Sequence, residues 1–194
     1  PMVINAVRNQ APGVRLRTVS PIVEKLEEGL ESGGVDLAIG YFPDITNGGV
    51  FQQRLLRNSG FLCITGDKDI AARGELDLVA FQTALHIAVR TEGRSQEVIE
   101  KAMAAMGIHR NVVATIPHYL GLLTIIPQTG LTAIVPMDLI SAFEGKEGIT
   151  ALPLPFASPS VEVIQIWHKR NHEDLSHRWL RTLVRDTLQR RVIG

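Results

Sequence analysis

Twice along this chain a short β-branched run gives way to a stretch whose apolar residues return at helical spacing, and that alternation admits few folds other than layered α/β ones. Residues 1–11 read as the end of a helix with Val3, Ile4 and Val7 on one stripe, stopped by Pro12-Gly13. Residues 14–19 alternate apolar and polar side chains as a half-buried strand does. Ser20-Pro21 then reads as a helix start, hydroxyl cap followed by proline. Ile22, Val23, Leu26 and Leu30 form its buried face and Gly33-Gly34 its end. A strand at 35–39 leads into a loop at 40–43, and strands at 50–57 and 60–65 are parted by the turn-forming pair Asn58-Ser59. Residues 67–74 are charged and poor in apolar side chains, and are the expected lobe boundary.

The second cycle is longer. A strand at 84–89 precedes a helix at 95–106 with Val98, Ile99, Ala102, Met103 and Met106 facing in. A strand at 112–115, a helix at 117–126, a strand at 131–135, a helix at 136–143 and a strand at 149–152 follow. After the extended, proline-containing segment 153–159 comes a strong strand at 161–167. Asp174 then opens a terminal helix striped by Trp179, Leu180, Leu183, Val184 and Leu188. That last strand and helix need a sheet to join, and the first lobe supplies one. The expectation is an α/β protein of two Rossmann-like lobes, residues 1–65 with 165–194 forming one and 66–164 the other. Such lobes bind ligands between them, at the C-terminal ends of strands and the N-termini of helices.

Charge narrows the function. Twenty basic side chains are balanced by twenty acidic ones, so the basic surplus with which nucleic-acid binders displace counterions is absent. The densest basic stretch, residues 178–191, also carries Asp186 and helical apolar spacing, and reads as a solvated helix face. Cys63 is the single cysteine, which excludes an internal disulfide; its apolar neighbours make it a packed small hydrophobe in a reducing, cytoplasmic setting. No segment approaches the ~20 apolar residues of a membrane span, and no signal peptide is read. The N-terminus falls inside a helix-like segment, so an upstream part is expected.

Motifs of catalysis are missing. Neither Gly33-Gly34 nor Gly48-Gly49 lies in a phosphate-loop frame, and residues 93–97 lack the second glycine of a serine nucleophile elbow. His168, His172 and His177 make a weak metal pattern, without a cysteine or a well-spaced carboxylate. No cofactor, metal or catalytic residue is expected. Two strand-to-helix junctions are better placed for a ligand. Residues 91–95 offer Thr91, Arg94, Ser95 and first-turn amides to an anion, although plain helix capping explains them equally well. Residues 115–119 place His118 and Tyr119 at a first turn, where a small polar aromatic molecule would be met, although a lone histidine there is as often a surface or capping residue.

The C-terminal stretch carries a resemblance. Trp167-His-Lys-Arg170, Asp174 and Arg178-Trp-Leu-Arg181 resemble the WHxR…D…RWLR signature of LysR-type effector-binding domains, and are similar to the branch of aromatic-degradation and nodulation regulators. Ala11-Pro-Gly-Val-Arg-Leu16, Val35-Asp-Leu-Ala-Ile-Gly40, Thr115-Ile-Pro-His-Tyr119 and Leu131-Thr-Ala-Ile-Val-Pro136 fall in the family's order. The resemblance implies two lobes of the type 2 periplasmic-binding-protein kind joined by two crossing strands. It implies a small aromatic acid or phenol as effector in the inter-lobe cleft, a homodimer or homotetramer, and DNA contact only through a winged helix-turn-helix domain outside this sequence. The family's first strand, too, should precede Pro1. Position by position it implies ligand contacts from Pro117, His118 and Tyr119, from Thr91, Arg94 and Ser95, from Ser20, and from the crossing strands at Leu62, Cys63, Ile64 and Gln165. The competing readings are a periplasmic-type solute-binding protein for transport, which needs an export signal, and a small α/β transferase or lyase, which needs a nucleophile, base or cofactor motif.

Overall fold

In the computed structural model, α1 (Met2–Gln10) stops ahead of Pro12-Gly13, and α2 (Leu26–Ser32) ends on Gly33, left-handed at φ 83°. The structure describes residues 1–19, 25–43, 45, 49–90, 95–143 and 145–189, with the backbone alone at 56–58 and at 95. The helix start expected at Ser20-Pro21, with Ile22 and Val23, lies outside the described residues. β1 (Ala38–Gly40) is shorter than its apolar run, and β2 (Val50–Ser59) continues straight through Asn58-Ser59, so that the break falls at Gly60 before β3 (Phe61–Thr65).

The charged stretch expected as a lobe boundary is instead a helix, α3 (Lys68–Arg73). The Asp67 carboxylate accepts from the amides of Asp69 and Ile70 at 2.9 and 3.0 Å, Gly74 closes the helix at φ 70°, and burial of Ile70 anchors it. One buried side chain suffices for so short a helix, which is why its composition reads as a linker. Asp77 caps α4 (Leu78–Thr83) in the same way. β4 (Leu85–Val89), α5 (Ser95–Ala105) and β5 (Asn111–Ile116) lie within about one residue of their expected bounds. The helix expected at 117–126 is divided: an extended His118, a 3-10 turn at Tyr119–Gly121, then α6 (Leu122–Thr129). After β6 (Thr132–Pro136), residues Met137–Ala142 form 3-10 rather than α-helix. β7 (Thr150–Leu152), β8 (Val161–His168) and α7 (Leu175–Gln189) complete the chain.

Two compact units result, Pro1–Arg57 with Glu162–Gly194, and Asn58–Val161. In the first, the sheet order is β1-β8-β2, with β1 and β8 antiparallel. Leu26 and Leu30 of α2 bury against Ala38, Phe42 and Ile166, and α1 packs on α7 through the buried Val7. Residues 14–19 form no strand. Val14, Leu16 and Val19 are 40–50% exposed, because alternation makes a strand only where a neighbour supplies hydrogen bonds, and no described strand flanks them.

The second unit is a five-stranded sheet, β5-β4-β6-β3-β7. β4 runs parallel to β5 and β6, and β3 antiparallel to β6 and β7. β3, whose residues the sequence places with the first lobe, is thus an inner strand of this second sheet. Strand neighbours, not strand composition, decide membership. Ile64, Ile87, Val89, Ala133 and Val135 share one face with Leu122, Ile126 and Phe143. By alternation Cys63, Thr65, His86 and Thr132 take the other face, where Phe81 of α4 lies edge-on to His86 and the Thr65 and Thr132 hydroxyls pair at 2.9 Å.

Candidate functional site

Parallel strands align the ends at which helices begin, and in the second unit β4, β5 and β6 finish at one edge of the sheet. The Arg90 amide donates to the Ile116 carbonyl at 2.9 Å, which closes β4 against β5. Antiparallel β3 begins at the same edge, Phe61 opposite Pro136. Pro117 and His118 emerge there exposed. His118 keeps an extended backbone (φ −139°, ψ 138°), its imidazole makes no capping bond, and its carbonyl accepts from the Gly121 amide at 3.3 Å. Tyr119 is half-buried against the core, and its phenolic oxygen accepts from the side-chain amide of Gln96 in the first turn of α5. Bonds between distant residues hold the adjoining wall. The Met137 amide donates to the Gly60 carbonyl at 2.9 Å, the Phe61 amide to Ser158 Oγ at 2.8 Å, and the Ser59 hydroxyl to the Asp138 carboxylate.

Of the residues expected at the site, this edge brings together Pro117, His118, Tyr119 and the Ser95 backbone. Ser20, Thr91 and Arg94 lie outside the described residues. Leu62 packs partly exposed on the core, whereas Ile64 is inside it and Cys63 has no exposed surface. Burial pushes the Cys63 thiol up to about 12, against a small opposing pull from Arg110, so it is no nucleophile. Gln165 belongs to the first unit, where it is buried and donates to Gln53 Oε1 at 2.6 Å and to the Arg181 carbonyl at 3.1 Å. Gln96, Ser59, Asp138 and Ser158 escaped sequence reasoning. A signal existed for Gln96: it shares the inward stripe of Ile99 and Met103, and a buried polar residue on an apolar stripe implies a bonding partner.

The C-terminal signature has structural work instead. Arg181 is buried, donates to the carbonyls of Asn171 and His172 at 2.9 Å each, and lies 4.4 Å from the centre of the Trp167 ring. Burial, aided by Arg178, lowers its pKa from the ordinary value. Arg170 donates to the carbonyls of Leu30 and Glu31 and so finishes α2. Asp174 caps α7, accepting from the His177 amide at 2.7 Å. Its bond from the Ser176 hydroxyl, first of several, holds its carboxyl below the usual range. The three histidines act separately. His168 accepts from the Arg170 amide, His172 lies 4.0 Å from the Phe51 ring, and His177 bonds the Asp36 carbonyl at 2.8 Å. Among the described residues no group of three metal-ligating side chains comes together, and no helix is long and apolar enough to cross a membrane.

Comparison with known proteins gives the family and the fold. The model of the LysR substrate binding domain matches residues 1–189. The chain is 32% identical over 186 residues to the HTH-type transcriptional activator NahR of Pseudomonas putida, covering 96% of this chain and 61% of NahR. It is 29% identical over 183 residues to the HTH-type transcriptional activator NagR of Ralstonia sp, covering 94% of this chain and 60% of NagR. It therefore spans about three-fifths of the length of these relatives. The crystal structure of the regulatory domain of MexT, a transcriptional activator in Pseudomonas aeruginosa, superposes with a TM-score of 0.83 at 24% identity, over 96% of this chain and 92% of that one, which shows the fold. With its alternating strands and helices, its C-terminal signature and these relatives, the chain belongs to the LysR substrate-binding domain family.

Proposed function

We propose that this chain is the effector-binding domain of a LysR-type transcription regulator, and that it binds a small aromatic acid or phenol at the edge where β4, β5 and β6 end. The observation that carries this reading is His118, exposed at the end of β5 beside Tyr119 and ahead of a turn whose first amides face no helix of their own. An imidazole supplies a directional bond and the neighbouring phenol ring an aromatic wall. Its relatives are transcription activators and its one thiol is buried in the core, which supports a domain that binds its ligand without transforming it. The same relatives favour regulation over solute transport. In the full regulator DNA contact falls to a helix-turn-helix domain, the setting is the cytoplasm, and two copies pair through α1 and residues 14–19 against α5 of the other.

A thermal-shift screen of aromatic acids and phenols tests this, since a ligand at a hundredfold excess over its Kd stabilises by roughly 2.7 kcal/mol. Calorimetry with the best ligand should then show His118→Ala weakening binding by about ten- to a hundredfold with the fold intact, the loss of one bond to a charged group. Unchanged affinity removes His118 from the site.

A further inference from the structure

Gln96 is a buried polar residue at this edge: it is 8% exposed, on the stripe where α5 buries Ile99 and Met103, and its amide donates to Tyr119 Oη. The two residues begin different helical segments, one following β4 and the other following β5. The register between those strands is interrupted by an irregularity between His86 and Ile87, at the opposite end from the site. At the site end, backbone bonding between β4 and β5 reaches Arg90 and Ile116 among the described residues. Beyond that point the Gln96–Tyr119 bond is a side-chain link between the two segments. Tyr119 follows His118 directly, and His118 has no side-chain bond of its own at the cap. Whatever fixes the Tyr119 ring therefore fixes the first turn from which the imidazole is offered.

We propose that Gln96 is a positioning residue for ligand recognition, which by holding Tyr119 ties the helix start after β4 to the turn after β5 and so sets the direction of His118. This rests on the reading of the edge as a ligand site. It differs in placing part of the specificity on a buried residue that touches no ligand, because an imidazole whose backbone is held in one orientation loses less freedom on binding.

The test is calorimetric titration of the full 194-residue chain with benzoate, phenol and benzamide, comparing wild type with Gln96→Met, Gln96→Glu, Tyr119→Phe, the Gln96→Met/Tyr119→Phe double variant and His118→Ala. Gln96→Met keeps the side-chain volume and removes the donor, and should raise Kd by about three- to tenfold, as should Tyr119→Phe. The double variant should be no worse than the poorer single one, since both remove one bond. Gln96→Glu can accept from the Tyr119 hydroxyl, and should restore the wild-type affinity for the neutral probe benzamide, which a role in stability alone would not produce. Unchanged Kd in Gln96→Met, additive losses in the double variant, or no rescue by Gln96→Glu would each overturn the proposal. If these occur while His118→Ala still weakens binding, the site stands and only the positioning role falls. If His118→Ala is also without effect, or no probe binds at millimolar concentration, both fall together.

Discussion

His86 has no exposed surface and sits on β4 with its Nε2 2.7 Å from the Phe81 carbonyl and its Nδ1 without a partner among the described residues. Burial, only partly offset by the bond to Phe81, pulls its pKa from 6.5 down to about 4. The native chain thus takes up this proton at lower pH than the unfolded chain does, and the unfolded state binds more protons throughout the interval between the two values. Stability therefore falls as pH drops from about 6.5 to about 4, by on the order of 3 kcal/mol in full. Urea midpoints taken at neutral pH and near the lower end of that window should show the loss. His86→Gln, which keeps an N–H for the Phe81 carbonyl, should remove most of the pH dependence; an equal acid sensitivity in the variant would assign it to other groups. This position lies at the end of β4 remote from His118. The acid lability expected from His86 is therefore separable from the ligand contact proposed for His118.

At the scale of elements, two glycines make opposite forecasts. A methyl group at Gly66, between β3 and α3, would lie 2.1 Å from the Ile126 carbonyl oxygen of α6. The obstacle is backbone, so strand and helix must part, and Gly66→Ala should cost about 1–3 kcal/mol. Gly13, after α1, has nothing within 4 Å of such a methyl and no left-handed backbone. Gly13→Ala should stabilise by about 0.4–1 kcal/mol through the unfolded state. Thermal melts of both variants check the pair, and a stable Gly66→Ala would mean that β3 and α6 are loosely packed. Elements whose cause is local were legible beforehand: β4, α5 and β5 from their apolar periods, α7 from Asp174 and its stripe. The helices α3 and α4 were not, because short capped helices bury one side chain each and carry no period. The site divides along the same line. His118 and Tyr119 could be proposed from a strand-to-helix junction, while Ser59 meets Asp138 across 79 residues and Phe61 meets Ser158 across 97, which no local pattern encodes.

For the whole molecule, Val14, Leu16 and Val19, exposed and without sheet partners, together with the exposed Met2 and Ile4 of α1, form the surface proposed to meet a second copy. A stable isologous contact should bury upwards of about 1,000 Å² in total. Sedimentation or light scattering at micromolar concentration should then report a dimer, and Leu16→Glu should shift it towards monomer without lowering the melting temperature of the monomer. A monomeric wild type would remove this surface from consideration. By itself the sequence determined what its most strongly periodic segments become, β4, α5, β5, β8 and α7, since helical and strand periods and capping carboxylates act over a few residues. It also marked the family, through a signature whose arginines and aspartate finish helices and sit on a tryptophan ring. Only the tertiary structure decided that residues 14–19 stay unpaired, that β3 runs between β6 and β7, and that Gln96 holds Tyr119. Each of these turns on whether separate parts of the chain bond to one another, and a strand's own residues specify that it needs neighbours without specifying which ones it will have.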